Sequence, residues 1–151
     1  MATPARLLIL QNVKTTMESI TVANGYKNDV KKVEAVAKGF ADTAINEKPW
    51  IGIYPQQESF KFEPGGRIRV TLSFMILVHI SGATVSDRAS VLNDFLDDVI
   101  ASLGVDGTRG GNAVMTTISS VETDEGDPDA YGNGSMVISS EIVYFRTQSK
   151  S

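Results

Sequence analysis

Arg67-Ile68-Arg69-Val70-Thr71-Leu72-Ser73-Phe74-Met75-Ile76-Leu77-Val78-His79-Ile80 carries an apolar residue at every even position. Its odd positions begin with Arg67, Arg69, Thr71 and Ser73, all polar. A period of two with one unbroken apolar face is the pattern of a half-buried β-strand. Fully extended, such a run spans about 46 Å at ~3.3 Å per residue, against a usual strand of about five or six residues. A strand of that length is expected to overhang its own small domain and to need cover from another protein subunit. The chain therefore reads first as an assembly component.

The residues before this strand fix its partner. Pro64-Gly65-Gly66 makes a turn, and Ser59–Phe62 precedes it. A three-residue loop pairs Glu63 with Arg67, Phe62 with Ile68 and Phe60 with Val70, which puts both phenylalanines on the apolar face and opposite charges across the strands. A two-residue loop would set Lys61 against Ile68 and is rejected. Trp50–Phe62 as a whole reads as a broken strand, because Pro55 has no N–H for a ladder bond and marks an edge or a bulge.

A helix is expected from Thr3 as N-cap, with Pro4 in its first position and Leu7, Leu10, Val13, Met17 and Ile20 on one face. Asn24-Gly25 would end it, with Tyr26 folding back onto the last turn. Asp29–Val36 reads as a short strand with Val30 and Val36 inward, and Gly39–Pro49 as a connection. A second helix follows from Ser86, with Asp87 in its first turn and Leu92, Phe95, Leu96, Val99, Ile100 and Leu103 as its buried stripe. Asn93, Asp94, Asp97, Asp98 and Ser102 take its solvated face, and Gly104 would stop it. A flexible Gly107–Gly111 loop leads into strands at Val114–Thr123 and Ser135–Arg146, the latter with Met136, Ile138, Ile142 and Tyr144 on one face. The order α-β-β-β-α-β-β predicts an α+β fold: one mostly antiparallel mixed sheet with two helices packed on one face and extended hairpins.

The 151 residues suit a single domain, 1–151, large enough for a real core. The absence of cysteine excludes disulfides, thiolate metal sites and thiol catalysis. Met1-Ala2-Thr3-Pro4 lacks a basic segment leading into an apolar run, so no secretion signal is expected. Fourteen alternating residues are no ~20-residue apolar span, so no membrane partner is expected. The net charge of −4 is uneven. Ten acids against Arg88 and Arg109 give −8 between Thr84 and Gly134, and the remainder carries +4. Opposite signs on one subunit suit head-to-tail contacts, although charge along a solvated surface also varies without forming patches.

Chemistry-bearing constellations are sparse. His79 stands alone on the odd face of the long strand, with no serine or carboxylate at a telling spacing, and reads as a structural or interface residue. Asp127, Asp129 and Gly132 match positions 1, 3 and 6 of a calcium loop, but Ile138 stands where a bidentate Glu belongs. The stretch Asp124–Gly134, with Asp124, Glu125, Asp127, Asp129 and Tyr131, is read instead as a mobile acidic contact loop at a hairpin tip. Gly107-Thr108-Arg109-Gly110-Gly111 lacks the Lys-Ser/Thr of a phosphate loop. A pI of about 4.9 and the lack of a basic aromatic platform argue against sequence-specific nucleic-acid binding. No catalytic, cofactor or metal residues are assigned, and the chain is read as a non-enzyme without cofactors. The candidate interface with another protein subunit is the first hairpin: Phe60, Phe62, Glu63, Arg67, Ile68, Arg69 and Val70.

The whole chain resembles the tail terminator proteins of long-tailed bacteriophages. The likeness lies in the order of elements: an amphipathic helix ending Asn24-Gly25-Tyr26, the basic strand Asp29–Val36, and Glu47-Lys48-Pro49-Trp50-Ile51-Gly52-Ile53. The long strand, the helix Ser86–Leu103 and a hairpin ending Ile142-Val143-Tyr144 follow. The resemblance implies a homo-oligomeric ring, a hexamer, seated on the last ring of the tail tube. There it would stop tube growth and present a docking surface to head-completion (neck) proteins, with DNA passing through the lumen without sequence-specific binding. It implies a place in the virion, at the neck region of the tail, after assembly in the host cytoplasm. Two other readings stand beside it. One is another neck protein, a stopper or connector. The other is a small α+β ligand-binding or enzymatic domain, which needs a concave pocket with convergent polar groups.

Overall fold

In the computed structural model the long strand, β3 (Arg67–Ser81), lies near the middle of a five-stranded sheet and is paired along both edges. On one side it runs antiparallel to β2 (Trp50–Phe62), on the other to β5 (Asn133–Thr147), from Arg67↔Thr147 to Ser81↔Asn133. Two outer strands, β1 (Lys32–Glu34) and β4 (Met115–Asp124), complete the order β1-β2-β3-β5-β4. Only β1 is parallel to its neighbour. Two helices, α1 (Ala5–Glu18) and α2 (Val85–Val105), pack on one face, so the fold is α+β with a mostly antiparallel mixed sheet. The structure describes residues 5–35, 47–81, 85–124 and 133–148. The expected Thr3–Pro4 cap, Val36, most of the 39–49 connection and the acidic residues Glu125, Asp127, Asp129 and Tyr131 lie outside them.

Alternation in β3 decides the layers. Val70, Leu72, Phe74, Ile76, Val78 and Ile80 are buried beneath the helices with Ile9, Val13, Met17, Leu92, Phe95, Val99 and Leu103. Met136, Ile138, Ile142 and Tyr144 of β5 join the same core. In β2 the inward residues change parity: Ile51 and Ile53 are inward and odd, whereas Phe60 and Phe62 oppose the inward-facing Val70 and Ile68 and are even. A single extra residue reconciles the two halves, and the register shifts between Pro55 and Gln57. The break read at Pro55 is therefore a β-bulge inside one continuous strand. The hairpin register follows the expectation: Phe60 opposes Val70 and Phe62 opposes Ile68. Glu63 N–H donates to Arg67 C=O at 2.8 Å, and the two side chains pair at 2.7 Å. Gly65 and Gly66 turn the chain with φ of 85° and 80°, where a side chain would be strained.

Several element ends differ from the sequence reading. Helix α1 stops at Glu18, and its buried line is Ile9, Val13 and Met17, with Leu7 turned outward. Thr21 then caps a separate 3₁₀ turn, Val22–Asn24, whose left-handed terminus is Gly25. Strand β1 is three residues long and its inward residue is Val33, between the expected Val30 and Val36. Helix α2 begins at Val85 and passes through Gly104 to Val105. Ile100, expected in its stripe, is about half exposed, whereas Asp98 and Ser102 are buried.

The burial of Asp98 has a specific cause. Its Oδ1 accepts from Lys27 N–H at 2.9 Å, and its Oδ2 accepts from the backbone N–H and side-chain amide of Asn28 at 3.0 Å each. The carboxylate thus satisfies donors of the turn after α1 that the interior would otherwise leave unpaired. Beside it, Asp97 pairs with Lys27 Nζ at 2.8 Å, and that hydrogen bond raises the lysine pKa.

The segment read as a flexible Gly107–Gly111 loop is a bonded turn. Arg109, buried and at φ 51°, sends Nη2 to the carbonyls of Leu103 (2.6 Å) and Asp106, and Nη1 to Thr16 Oγ1 of α1 at 3.2 Å. A cation over the last carbonyls of α2 also opposes the helix dipole. Asp106 accepts from Thr108 N–H and Gly110 N–H at 2.9 and 2.8 Å. The side-chain hydroxyl of Thr108, followed by these backbone bonds, holds the Asp106 pKa below the usual carboxylate range.

Candidate subunit interface

The hairpin that joins β2 and β3 is flanked by β5 as far as Arg67, and its residues divide by depth. Val70 is fully buried in the monomer core and cannot contact another subunit, which corrects its place among the candidate residues. Ile68 is partly buried. Phe60 and Phe62 are 50% and 63% exposed, although both lie on the helix-bearing face. Arg67 is exposed, holds Glu63 and stacks its guanidinium 4.3 Å from the centre of the Phe145 ring. Lys61 and Arg69 oppose each other directly across the hairpin on the other face. Like charges in that position repel, and among the described residues neither has a recorded acidic partner.

A polar lock closes the core just below the two phenylalanines. Glu58 of β2 pairs with Arg6 of α1 through Oε1, and its Oε2 accepts from the Tyr144 hydroxyl at 2.9 Å. Burial, then the hydrogen bond to this carboxylate, pushes the Tyr144 phenol up to about 12. An unfolded tyrosine ionises near about pH 10. The raised folded value therefore contributes stability that is full below pH ~10 and is lost as pH rises through the folded value, an effect of about 2–3 kcal/mol. Tyr144→Phe removes this slope: urea melts of wild type and variant from pH 9 to 12 are expected to converge by about that amount. Parallel stability curves would mean the phenol is not held by Glu58.

The opposite face of the sheet carries no helix among the described residues. Thr71, Ser73, Met75 and Leu77 of β3 and Val137, Ser139 and Glu141 of β5 lie partly exposed there. At its β1 end Trp50 is buried, stacks on His79 with ring centres 5.1 Å apart, and donates Nε1–H to Glu34 at 2.9 Å. Lys32 bridges Glu34 and Glu47 at 3.6 and 3.0 Å. The Glu47 hydrogen bond, first among its causes, raises the Lys32 pKa. His79 is thus a packed residue, in keeping with its structural reading.

Among the described residues the two lateral edges have no further strand neighbour. β1 covers β2 only over Trp50–Gly52, so the outer edge of β2 from Ile53 to Phe62 has no strand neighbour among the described residues. The outer edge of β4 has none either. Beside β4 runs a groove of about 450 Å³ lined by Ile100, Leu103, Thr116 and Ile118. The described residues contain no cluster of three or more His, Asp or Glu able to hold a metal ion, and no described helix is long and apolar enough to cross a membrane. The sequence reading found the hairpin aromatics from parity. It missed the β4 groove, whose only sequence signal was Ile100 at one flank of the α2 stripe. No protein-family model matches this chain, and no curated protein matches its sequence at a significant level.

Proposed function

We propose that this chain is a structural subunit of a phage tail: a terminator that forms a ring on the head-proximal end of the tail tube, stops its growth and receives the head-completion proteins. The observation that carries the reading is the exposed aromatic tip. Phe60 and Phe62 stand half or more exposed on a hairpin paired with β3 in one register from Gln57 to Phe62. Exposed apolar side chains held on a hydrogen-bonded strand pair favour protein contact, because little backbone entropy remains to be lost on docking. The order of elements over nearly the whole chain supports the same reading. So does the helix-free sheet face, with hydroxyls at Thr71, Ser73 and Ser139. From Thr71 to Leu77 of β3 and from Val137 to Glu141 of β5 that face carries no cation, and there it lacks the phosphate contacts that hold DNA; Lys61, Arg67 and Arg69 lie at its hairpin end.

Particles assembled without this chain test the proposal. Tails of uncontrolled length are the expected result. Normal-length tails that fail to join heads would identify a neck protein, a stopper or connector, and overturn the terminator reading.

A further inference from the structure

The edges of β2 and β4 that have no strand neighbour among the described residues lie on opposite sides of one sheet, and their neighbouring surfaces match face by face. From this we infer that the outer edge of β2 in one copy adds to the β4 edge of the next copy, making one sheet that continues through the assembly. The inference rests on the ring reading above and names the joint that closes it.

Sheet faces are preserved when a strand is added to an edge, because side chains alternate strictly. Phe60 and Phe62 lie on the helix-bearing face of their own sheet. Thr116 and Ile118 of β4 lie on that same face, opposite Ile142 and Ser140. A second copy's β2 laid along β4 would therefore carry both phenylalanines into the groove between β4 and α2. That groove, of about 450 Å³, already presents Ile100 at 49% exposure together with Leu103 and Ile118. The other face carries charge. Lys61 lies between Phe60 and Phe62 and points to the helix-free side, where it opposes Arg69. Thr117 lies between Thr116 and Ile118 on that side, and Glu141 is directly across from it on β5. With the phenylalanines seated, Lys61 passes over Thr117 towards Glu141, which relieves the Lys61–Arg69 repulsion.

One β2 edge and one β4 edge per chain make the contact head-to-tail, so it propagates to a ring and does not stop at a two-fold dimer. The arrangement also accounts for the outer edge of β4 from Met115 to Ile118, before the bulge between Ile118 and Ser120, which has no strand neighbour among the described residues and carries neither proline nor charge. The partner's β2 supplies the missing ladder bonds, and its aromatic residues fill the groove. This is β-augmentation by a copy of the same chain.

The chain has no native cysteine, so engineered pairs report cleanly. Ser59 and Thr117 are exposed and face the helix-free side. The Ser59→Cys, Thr117→Cys double variant is assembled with tail tubes and treated with a bismaleimide spanning about the 7–8 Å of a diagonal cross-strand pair. A ladder of covalent multimers is expected from the double variant, dimers from an equimolar mixture of the two single variants, and none from either single variant alone. Dimers from Ser59→Cys alone would show a two-fold contact and overturn the inference. Rings visible by electron microscopy but uncrosslinked would overturn this joint and leave the ring reading standing. Chains that remain monomeric with tubes present would overturn both.

Discussion

Replacing Phe95 with Ala lowers the stability of this protein by about 3–5 kcal/mol. The ring is fully buried at the middle of α2, in the layer between that helix and the sheet. Its loss removes transfer energy and leaves a void whose walls are already constrained. Leu92 and Val99 sit one turn to either side, and Asp98 anchors the helix to the turn after α1. In a chain of this length the change corresponds to a fall in Tm of roughly 6–20 °C. Ile100→Ala on the same helix supplies the contrast. Ile100 is about half exposed in the isolated subunit, so its truncation should cost under about 1 kcal/mol. Urea melts with unchanged slope and separated midpoints measure both. Equal costs at the two positions would mean that the helix is turned differently on the sheet.

That pair of residues also shows where the sequence was legible. Six apolar residues in α2 cover an arc wider than the sheet buries. Phe95 lies at one edge of that arc and Ile100 at the other, about 140° apart at about 100° per residue. The flank actually covered is the one with Asp98 and Ser102, at three and seven residues from Phe95, while Ile100 on the other flank is left outside. Polarity masked the buried flank, because what makes Asp98 burial favourable is a pair of backbone N–H groups about seventy residues away. Arg109 was obscured in the same manner: its partners are carbonyls and a threonine on two helices. The β2–β3 hairpin was readable because its determinants are local. Turn length, parity and one charge pair all select the same register, and a slip of one residue would turn every apolar side chain to the wrong face. The overhang expected from the length of β3 is not found, since β5 matches the strand residue for residue and Gln148 N–H donates to Gly66 C=O in the turn itself. The groove beside β4 had no local signature, being made from a helix end and a strand that meet only in the fold.

Replacing both Phe60 and Phe62 with Ser leaves the subunit folded and abolishes its assembly. In the monomer the two rings are half or more exposed and lie beyond the Glu58–Tyr144–Arg6 lock, so they add little to the core beneath α1. A loss of about 1–3 kcal/mol of monomer stability is expected from the part of each ring already buried. At a subunit junction the balance differs. Full burial of a Phe side chain is worth about 1.5–3 kcal/mol, and half of that is still unrealised on each ring in the free chain. Together the pair contributes about 1.5–3 kcal/mol per junction, equivalent to roughly 10- to 150-fold in the dissociation constant. A closed ring repeats the loss at every junction, so moderate weakening of one contact becomes absence of the whole ring. Circular dichroism and urea melts report the fold, and electron microscopy of chains mixed with tail tubes reports the assembly. A double variant that unfolds would place both rings in the monomer core, against their exposure. A folded variant that still forms rings would remove the hairpin from the interface, and the pairing of β2 with β4 would fall with it.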